Sequence, residues 1–403
     1  MNFIDIPRFI ASHVTKREKS MFAGDIAQHQ NELSIKIKDK SVLVIGGAGT
    51  IGASFIKAIL AFEPHKLVVV DTNENGLTEL TRDLRSKAGQ YVPSEYITYP
   101  MNFGDAVFKK MYIEQGPFDI VANFAAHKHV RSEKDHFSIE AMLENNVFKA
   151  HEFLNFLQAH KPEHFFCVST DKAANPVNVM GGSKKLMEEV IMAYSKELHI
   201  TTARFANVAF SNGSLLDGYI QRLFKGQAIS CPSDVKRFFV SPEESGQICM
   251  LACMLGNSGE IFFPKLDENE QVNFKDITID FFREMQRPIV RCISEEDAKQ
   301  HSLTLTEKDP YPVYFFASET SGEKLFEEFY TEQDQLELER FGSLGVILNS
   351  KKLPMNDLEK VISDLKAILS SDSYDKEQIV AAMTKYIPDF AHIETGKNLD
   401  QKM

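Results

Sequence analysis

Ser41-Val42-Leu43-Val44-Ile45-Gly46-Gly47-Ala48-Gly49-Thr50-Ile51-Gly52 decides the fold. An apolar, β-branched run of strand length passes straight into a glycine-rich turn, and a helical apolar pattern then continues to Leu60. Strand, glycine turn and helix in that order turn a glycine motif into a dinucleotide-binding expectation. Gly46 permits the tight turn, Gly49 lets backbone N–H groups approach a pyrophosphate, and Gly52 allows close helix packing. Thr50 and Ile51 belong to the same cofactor-binding turn.

Downstream, Lys66-Leu67-Val68-Val69-Val70 reads as a second strand ending at Asp71, where an acid usually holds an adenosine ribose. Asp71 also suits an N-cap for the helix near Leu77. Its acid favours NAD, while Arg82 and Arg85 keep NADP open. Strand-like runs at 96–99 and 120–124 alternate with helical stretches. The pattern predicts an α/β fold, a doubly wound parallel sheet of Rossmann type. Asn102 and Phe103, behind the third strand, join the cofactor residues. Ala125 and Ala126 are small enough to admit a nicotinamide, and His127, Lys128, His129 and Arg131 bring local positive charge.

The run Phe165-Phe166-Cys167-Val168 reads as a buried strand that empties into Ser169-Thr170-Asp171-Lys172. Open α/β sheets bind ligands outside the carboxyl ends of their strands, so this cluster is candidate chemistry. Beside a nicotinamide it suits oxidation of a sugar-like carbinol, with a neighbouring base taking the hydroxyl proton. Once C4 of a hexose is a ketone, the C5 proton is acidic and the C6 hydroxyl can be expelled. Lys172 and Asp171 supply an adjacent base and acid for that elimination, and hydride can then return to C6. A Lys base requires a lowered pKa and an Asp acid a raised one. Burial favours both shifts; the mutual attraction of the pair opposes them.

The chain divides into an N-terminal helical arm (1–40), a dinucleotide-binding domain (41–206), mainly a substrate-binding lobe (207–330) and a helical C-terminal appendage (331–403). Arg237 is a candidate for a substrate phosphate, because its guanidinium fork matches that group. The appendage suits oligomerisation or capping. With 45 basic and 57 acidic residues the net charge is −12, which argues against nucleic acid or an anionic membrane as partner. Five cysteines form no CxxC pair, which suggests core packing in a reducing cytoplasm and no metal site. No signal peptide and no run of about 18 apolar residues is present.

Together these residues resemble the extended short-chain dehydrogenase/reductase superfamily in its polysaccharide-biosynthesis branch, most closely the CapD-like UDP-N-acetylglucosamine 4,6-dehydratases. The resemblance spans about 40 to 330 and rests on the glycine turn, Ala125-Ala126-His127-Lys128-His129-Val130, Ser169-Thr170-Asp171-Lys172-Ala173-Ala174-Asn175-Pro176, Arg204-Phe205-Ala206-Asn207-Val208 and Gly322-Glu323-Lys324-Leu325. It implies that Thr170 polarises the C4 hydroxyl, Asp171 is the C6 acid and Lys172 the C5 base. It further implies that Lys128, Asn207, Arg237 and Glu323 hold the UDP-sugar; His129 and Ser214 are further candidates for substrate binding. A tightly bound, recycled NAD or NADP and a cytoplasmic homo-oligomer follow from the same resemblance. Such enzymes commonly place a proton-carrying Tyr four residues before a Lys. Here Met180 stands before Lys184, as in a subgroup of the branch. Lys184 can still hold the nicotinamide ribose, and the C4 proton must leave through Asp171, Lys172, Lys184 or water at Thr170. The alternatives are a 5,6-dehydratase releasing a 5,6-ene sugar, a C4 or C5 epimerase, or a non-catalytic cofactor-binding sensor.

Overall fold

The computed structural model describes residues 4–317 and 327–392. Its centre is a sheet of parallel strands: β1 (Ser41–Ile45), β2 (Lys66–Asp71), β3 (Glu95–Pro100), β4 (Ile120–Asn123), β5 (His164–Val168) and β6 (Ile200–Ala203). They lie side by side as β3-β2-β1-β4-β5-β6, with Val44 opposite Val69 on one side and Ala122 on the other. Val42, Leu43, Val44 and Leu67 through Val70 are buried. Helices cover both faces, so these strands are apolar runs without polar alternation. The chain runs outward in opposite directions from β1 and β4, and this reversal opens a crevice at their carboxyl ends.

The sheet does not finish with β6. After crossing into the lobe the chain returns, and the strand Glu260–Pro264 pairs parallel to β6. Leu344–Ile347 then pairs antiparallel to it and Leu336–Glu337 closes that edge. The expected boundary at residue 207 therefore marks where the chain first leaves the sheet, while segments on both sides of residue 330 rejoin it. Pairing explains the return, because β6 would otherwise present unpaired N–H and C=O groups. The helix Pro242–Leu255 accompanies this return and lies against Thr50–Leu60. Their approach is so close that a Cβ on Gly246 would meet Ser54 O at 2.2 Å.

The lobe has its own parallel sheet, Ile289–Cys292, Tyr311–Phe316 and Ile229–Pro232, and its own core around Tyr219, Phe281 and Tyr311. The N-terminal arm lies on the same chain and bridges the two cores. Phe9, Ile10 and Val14 enter the lobe core, whereas Leu33 and Ile37 enter the sheet core. Between them Arg17 forks onto the buried carboxylate of Glu244 at 2.9 and 3.0 Å and donates to Phe239 O at 3.0 Å.

The C-terminal helices Met355–Leu369 and Lys376–Tyr386 cap this chain's own helices, including Val179–Ala193 behind the Ser169–Lys172 cluster. A Cβ on Gly182 would lie 2.6 Å from Met383 Cε, so glycine lets the cap seat on the start of that helix. The five cysteines are buried and unpaired. Among the described residues no helix is long and apolar enough to cross a membrane.

Candidate functional site

The glycine turn is shaped by what surrounds it. Gly46 has φ +76°, and a Cβ there would meet Ala125 N at 2.6 Å, so both conformation and space require glycine. A Cβ on Gly52 would lie 2.4 Å from Gly46 O, which closes the helix onto the turn. A Cβ on Gly49 would meet nothing nearer than Gly46 O at 3.5 Å, and no side chain caps the helix Thr50–Leu60 behind it. The first N–H groups of that helix are thus open to an anion. This cradle fits a dinucleotide pyrophosphate.

Asp71 closes the far side. Its Oδ2 accepts from Ala48 N at 3.0 Å and its Oδ1 from Asn73 N at 2.9 Å. The helix beyond is capped by Asn73, whose side chain accepts from Gly76 N at 3.0 Å. Asp71 therefore holds the glycine turn against the end of β2 and keeps spare lone pairs for a ribose. Asn102 Oδ1 accepts from Gly104 N at 2.9 Å and Lys149 Nζ at 3.3 Å, which shapes the loop after β3. Phe103 is different: its ring is 4% exposed and packs on Phe153, so its side chain belongs to the core. The backbone near β3 is all that Phe103 can offer a cofactor.

A cavity of about 340 Å³ opens beyond the carboxyl ends of β4, β5 and β6. Thr170, Asp171, Lys172, Met180 and Lys184 line it. Lys128, His129, Asn207 and Ser214 line it as well, together with Ala126 and with Ile51 of the glycine turn. The structure thus brings together most of the residues singled out in the sequence. Arg237 is not among the lining; it is buried behind, with Nε 3.5 Å from Glu327 Oε1. Glu323 falls outside the described residues. Ser214 caps the helix Leu215–Lys225 by accepting from Asp217 N at 3.2 Å. Asn212 N donates to Thr50 Oγ1 at 2.9 Å, tying the lobe loop to the glycine turn.

At the centre, Thr170 Oγ1 donates to Asp171 Oδ1 at 2.7 Å, and Lys172 Nζ reaches both Asp171 oxygens at 3.1 Å. Burial alone would lower the Lys172 ammonium; the charges of Asp171 and then Glu327 outweigh it, and its pKa is raised. The lowering that a resting Lys base requires is therefore absent, because attraction to two carboxylates exceeds the desolvation cost. Lys184 goes the other way: burial lowers its pKa against smaller opposing effects of Cys167 and Glu188. Its Nζ donates to Val168 O at 2.8 Å, which fixes it at the end of β5. Lys128, exposed at the cavity mouth, donates to Asn212 O at 3.3 Å, and desolvation lowers its pKa with Asp217 opposing.

Three residues that the sequence reading passed over support this centre. Glu188 accepts from Ser169 Oγ at 2.6 Å and takes a two-point grip from Arg204 at 2.8 and 2.7 Å. Its place one turn after Lys184, an acid on a buried helix, was the available signal. Asn146 accepts from His127 N at 2.8 Å and donates to Ser183 Oγ at 3.1 Å, linking the β4 loop to the Met180 helix. Glu327 is buried and lifted to about 7 by desolvation, with the neighbouring Asp171 charge adding to the rise. An acid just behind the apolar Leu325-Phe326 was its only trace in the sequence.

Comparison with known proteins bears on the same span. The family described as "Polysaccharide biosynthesis protein" matches residues 42–348. An uncharacterized membrane protein of Methanocaldococcus jannaschii is 29% identical over 84% of this chain and 98% of its own length. The probable polysaccharide biosynthesis protein EpsC of Bacillus subtilis is 29% identical over 65% of this chain, which spans only 43% of that relative. An inverting UDP-N-acetylglucosamine 4,6-dehydratase of Campylobacter jejuni is 23% identical over 69% of this chain and 80% of its own length. Among solved structures, Pen from Bacillus thuringiensis shares the fold with a TM-score of 0.62, at 22% identity, over 81% of this chain and 98% of its own.

Proposed function

This chain belongs to the polysaccharide biosynthesis protein family, an extended short-chain dehydrogenase/reductase branch, and on that premise we propose an NAD(P)-dependent 4,6-dehydratase of UDP-N-acetylglucosamine, serving glycan or nonulosonic-acid synthesis. The observation that carries the reading is the hydrogen-bonded series Thr170–Asp171–Lys172 on the cavity wall, beside Met180. A simple C4 epimerisation needs no adjacent acid and amine. The glycine turn, Asp71 and Lys184 would hold the dinucleotide, which supplies a reversible hydride acceptor.

Met180 carries no proton, so Thr170 takes its place in the transfer. Thr170 Oγ1 receives the C4 proton as its own passes to Asp171 Oδ1, along the existing 2.7 Å bond. Asp171 is then the protonated acid that the C6 hydroxyl needs to depart as water. Its neutralisation also removes the larger of the two attractions that hold the proton on Lys172. Oxidation at C4 thus prepares Lys172 to release its ammonium proton to solvent, take the C5 proton and return it to C5, regaining a solvent proton when Asp171 is charged again. The C4 hydroxyl proton ends in the released water, and no net redox change remains.

The test is incubation with UDP-N-acetylglucosamine in D₂O, read by mass and proton NMR. Loss of one water with a new C6 methyl and deuterium at C5 is the expected product. Vinyl protons would assign a 5,6-ene, and unchanged sugar with bound cofactor would overturn the substrate assignment.

A further inference from the structure

Glu327 lies behind the cavity lining, close enough to Asp171 and Lys172 for their charges to act on it, and is anchored to Asn207. Its Oε2 accepts from Phe238 N at 3.0 Å, and its Oε1 accepts from Asn207 Nδ2 and lies 3.5 Å from Arg237 Nε. The side chain is 3% exposed and held on both carboxylate oxygens, so it is a fixed acceptor. Asn207 lines the cavity. Both hydrogens of its Nδ2 are committed away from it, one to Glu327 and one to Phe238 O at 3.5 Å. The amide carbonyl is the group left for a ligand.

The geometry points to Glu327 as a positioning residue that sets the Asn207 amide, so that the cavity presents an acceptor there and takes a hydroxyl or amide N–H of the substrate. A phosphate oxygen, which only accepts, gains nothing at that place. The inference rests on the dehydratase reading only for which sugar fills the cavity. Glu327 faces Asp171 and Lys172 from the end of β5 and Arg237 from the strand Lys236–Arg237. Desolvation and Asp171 lift its carboxyl to about 7, against Lys172 and Arg237. Above that pH it accepts from Asn207. Below it the carboxyl can donate instead, the amide is free to turn over, and the acceptor in the cavity is lost.

Two readouts test this. In ¹⁵N-labelled full-length protein, the Asn207 side-chain amide signals, assigned by their loss in Asn207→Asp, are expected to titrate with a midpoint near 7 and to become flat in Glu327→Gln. In turnover of UDP-N-acetylglucosamine, Glu327→Gln is expected to raise KM about tenfold, the scale of one lost hydrogen bond, with a smaller change in kcat and no acid limb near neutrality. The double variant Glu327→Gln/Asn207→Asp lets the Gln amide donate to the new carboxylate, returns an acceptor to the cavity and is expected to recover KM. A merely structural Glu327 would give no such rescue. Flat amide signals in the folded wild-type protein, or an unrescued KM, overturn the inference. A normal amide titration in a protein that leaves the sugar unchanged overturns the dehydratase reading alone.

Discussion

Glu188→Gln is the perturbation whose size the structure sets most directly. Glu188 and Arg204 are 2% and 3% exposed, and the guanidinium meets both carboxylate oxygens at 2.8 and 2.7 Å. Arg204 Nη1 also donates to Phe329 O at 2.9 Å, and Ser169 Oγ completes the carboxylate at 2.6 Å. Glutamine keeps one acceptor but turns an NH₂ toward the guanidinium, leaving the buried cation to the more distant charges of Asp334, 4.0 Å from Nη1, and Asp171. Removing one partner of a buried pair costs roughly 3–5 kcal/mol. Unfolding entropy of about 2.1 cal/mol/K per residue, over 403 residues, gives roughly 0.85 kcal/mol/K, so Tm should fall by about 5 °C. Burial opposes the ionised form of Glu188, but Arg204 outweighs it and the pKa is lowered. That stability is therefore present above the unfolded value of 4.5 and is lost as pH falls through the lower folded value. Thermal and urea unfolding at pH 7 and pH 4 measure both effects. A Glu188→Met/Arg204→Met double variant should recover most of the loss, because paired apolar replacements avoid both desolvation costs. A loss under about 1 kcal/mol at pH 7 for the single variant would refute the reasoning.

Thr170→Val removes the hydroxyl that links substrate to Asp171, and kcat should fall roughly 10²–10⁴-fold while the fold, checked by circular dichroism, is kept. Lys172→Met should abolish deuterium incorporation at C5 in D₂O; incorporation at the wild-type rate would remove Lys172 from the C5 step. Gly46→Ala strains a φ of +76° and drives a Cβ against Ala125 N at 2.6 Å, so dinucleotide binding by calorimetry should be lost along with about 1–3 kcal/mol of stability. Glu327→Gln should stabilise the protein above neutral pH. Its carboxyl, raised from 4.5 to about 7, gives stability that is full below 4.5 and lost as pH rises through 7. The loss is worth roughly 3 kcal/mol less the altered hydrogen bonds, and urea unfolding at pH 5 and pH 8 should show the two proteins diverging with pH.

Sequence alone determined the strand, glycine turn and helix at 41–60, the alternation that makes the sheet parallel, and the placing of Thr170, Asp171 and Lys172 at a strand end. These follow from local rules, since burial on both faces demands continuous apolar runs and a turn at φ +76° demands glycine. For the C-terminal helices the sequence left capping and oligomerisation both open, because an apolar helix face does not name its cover. The return of Glu260–Pro264 to the edge of β6 is likewise a pairing between distant segments. Tertiary structure decided which of the opposing effects on the centre prevails. Desolvation by itself would make Lys172 easier to deprotonate, yet it is pulled the other way by Asp171 beside it and by Glu327, which is 155 positions along the chain. Electrostatic attraction depends on distance through space and on the surrounding dielectric, and neither quantity is written in the order of residues.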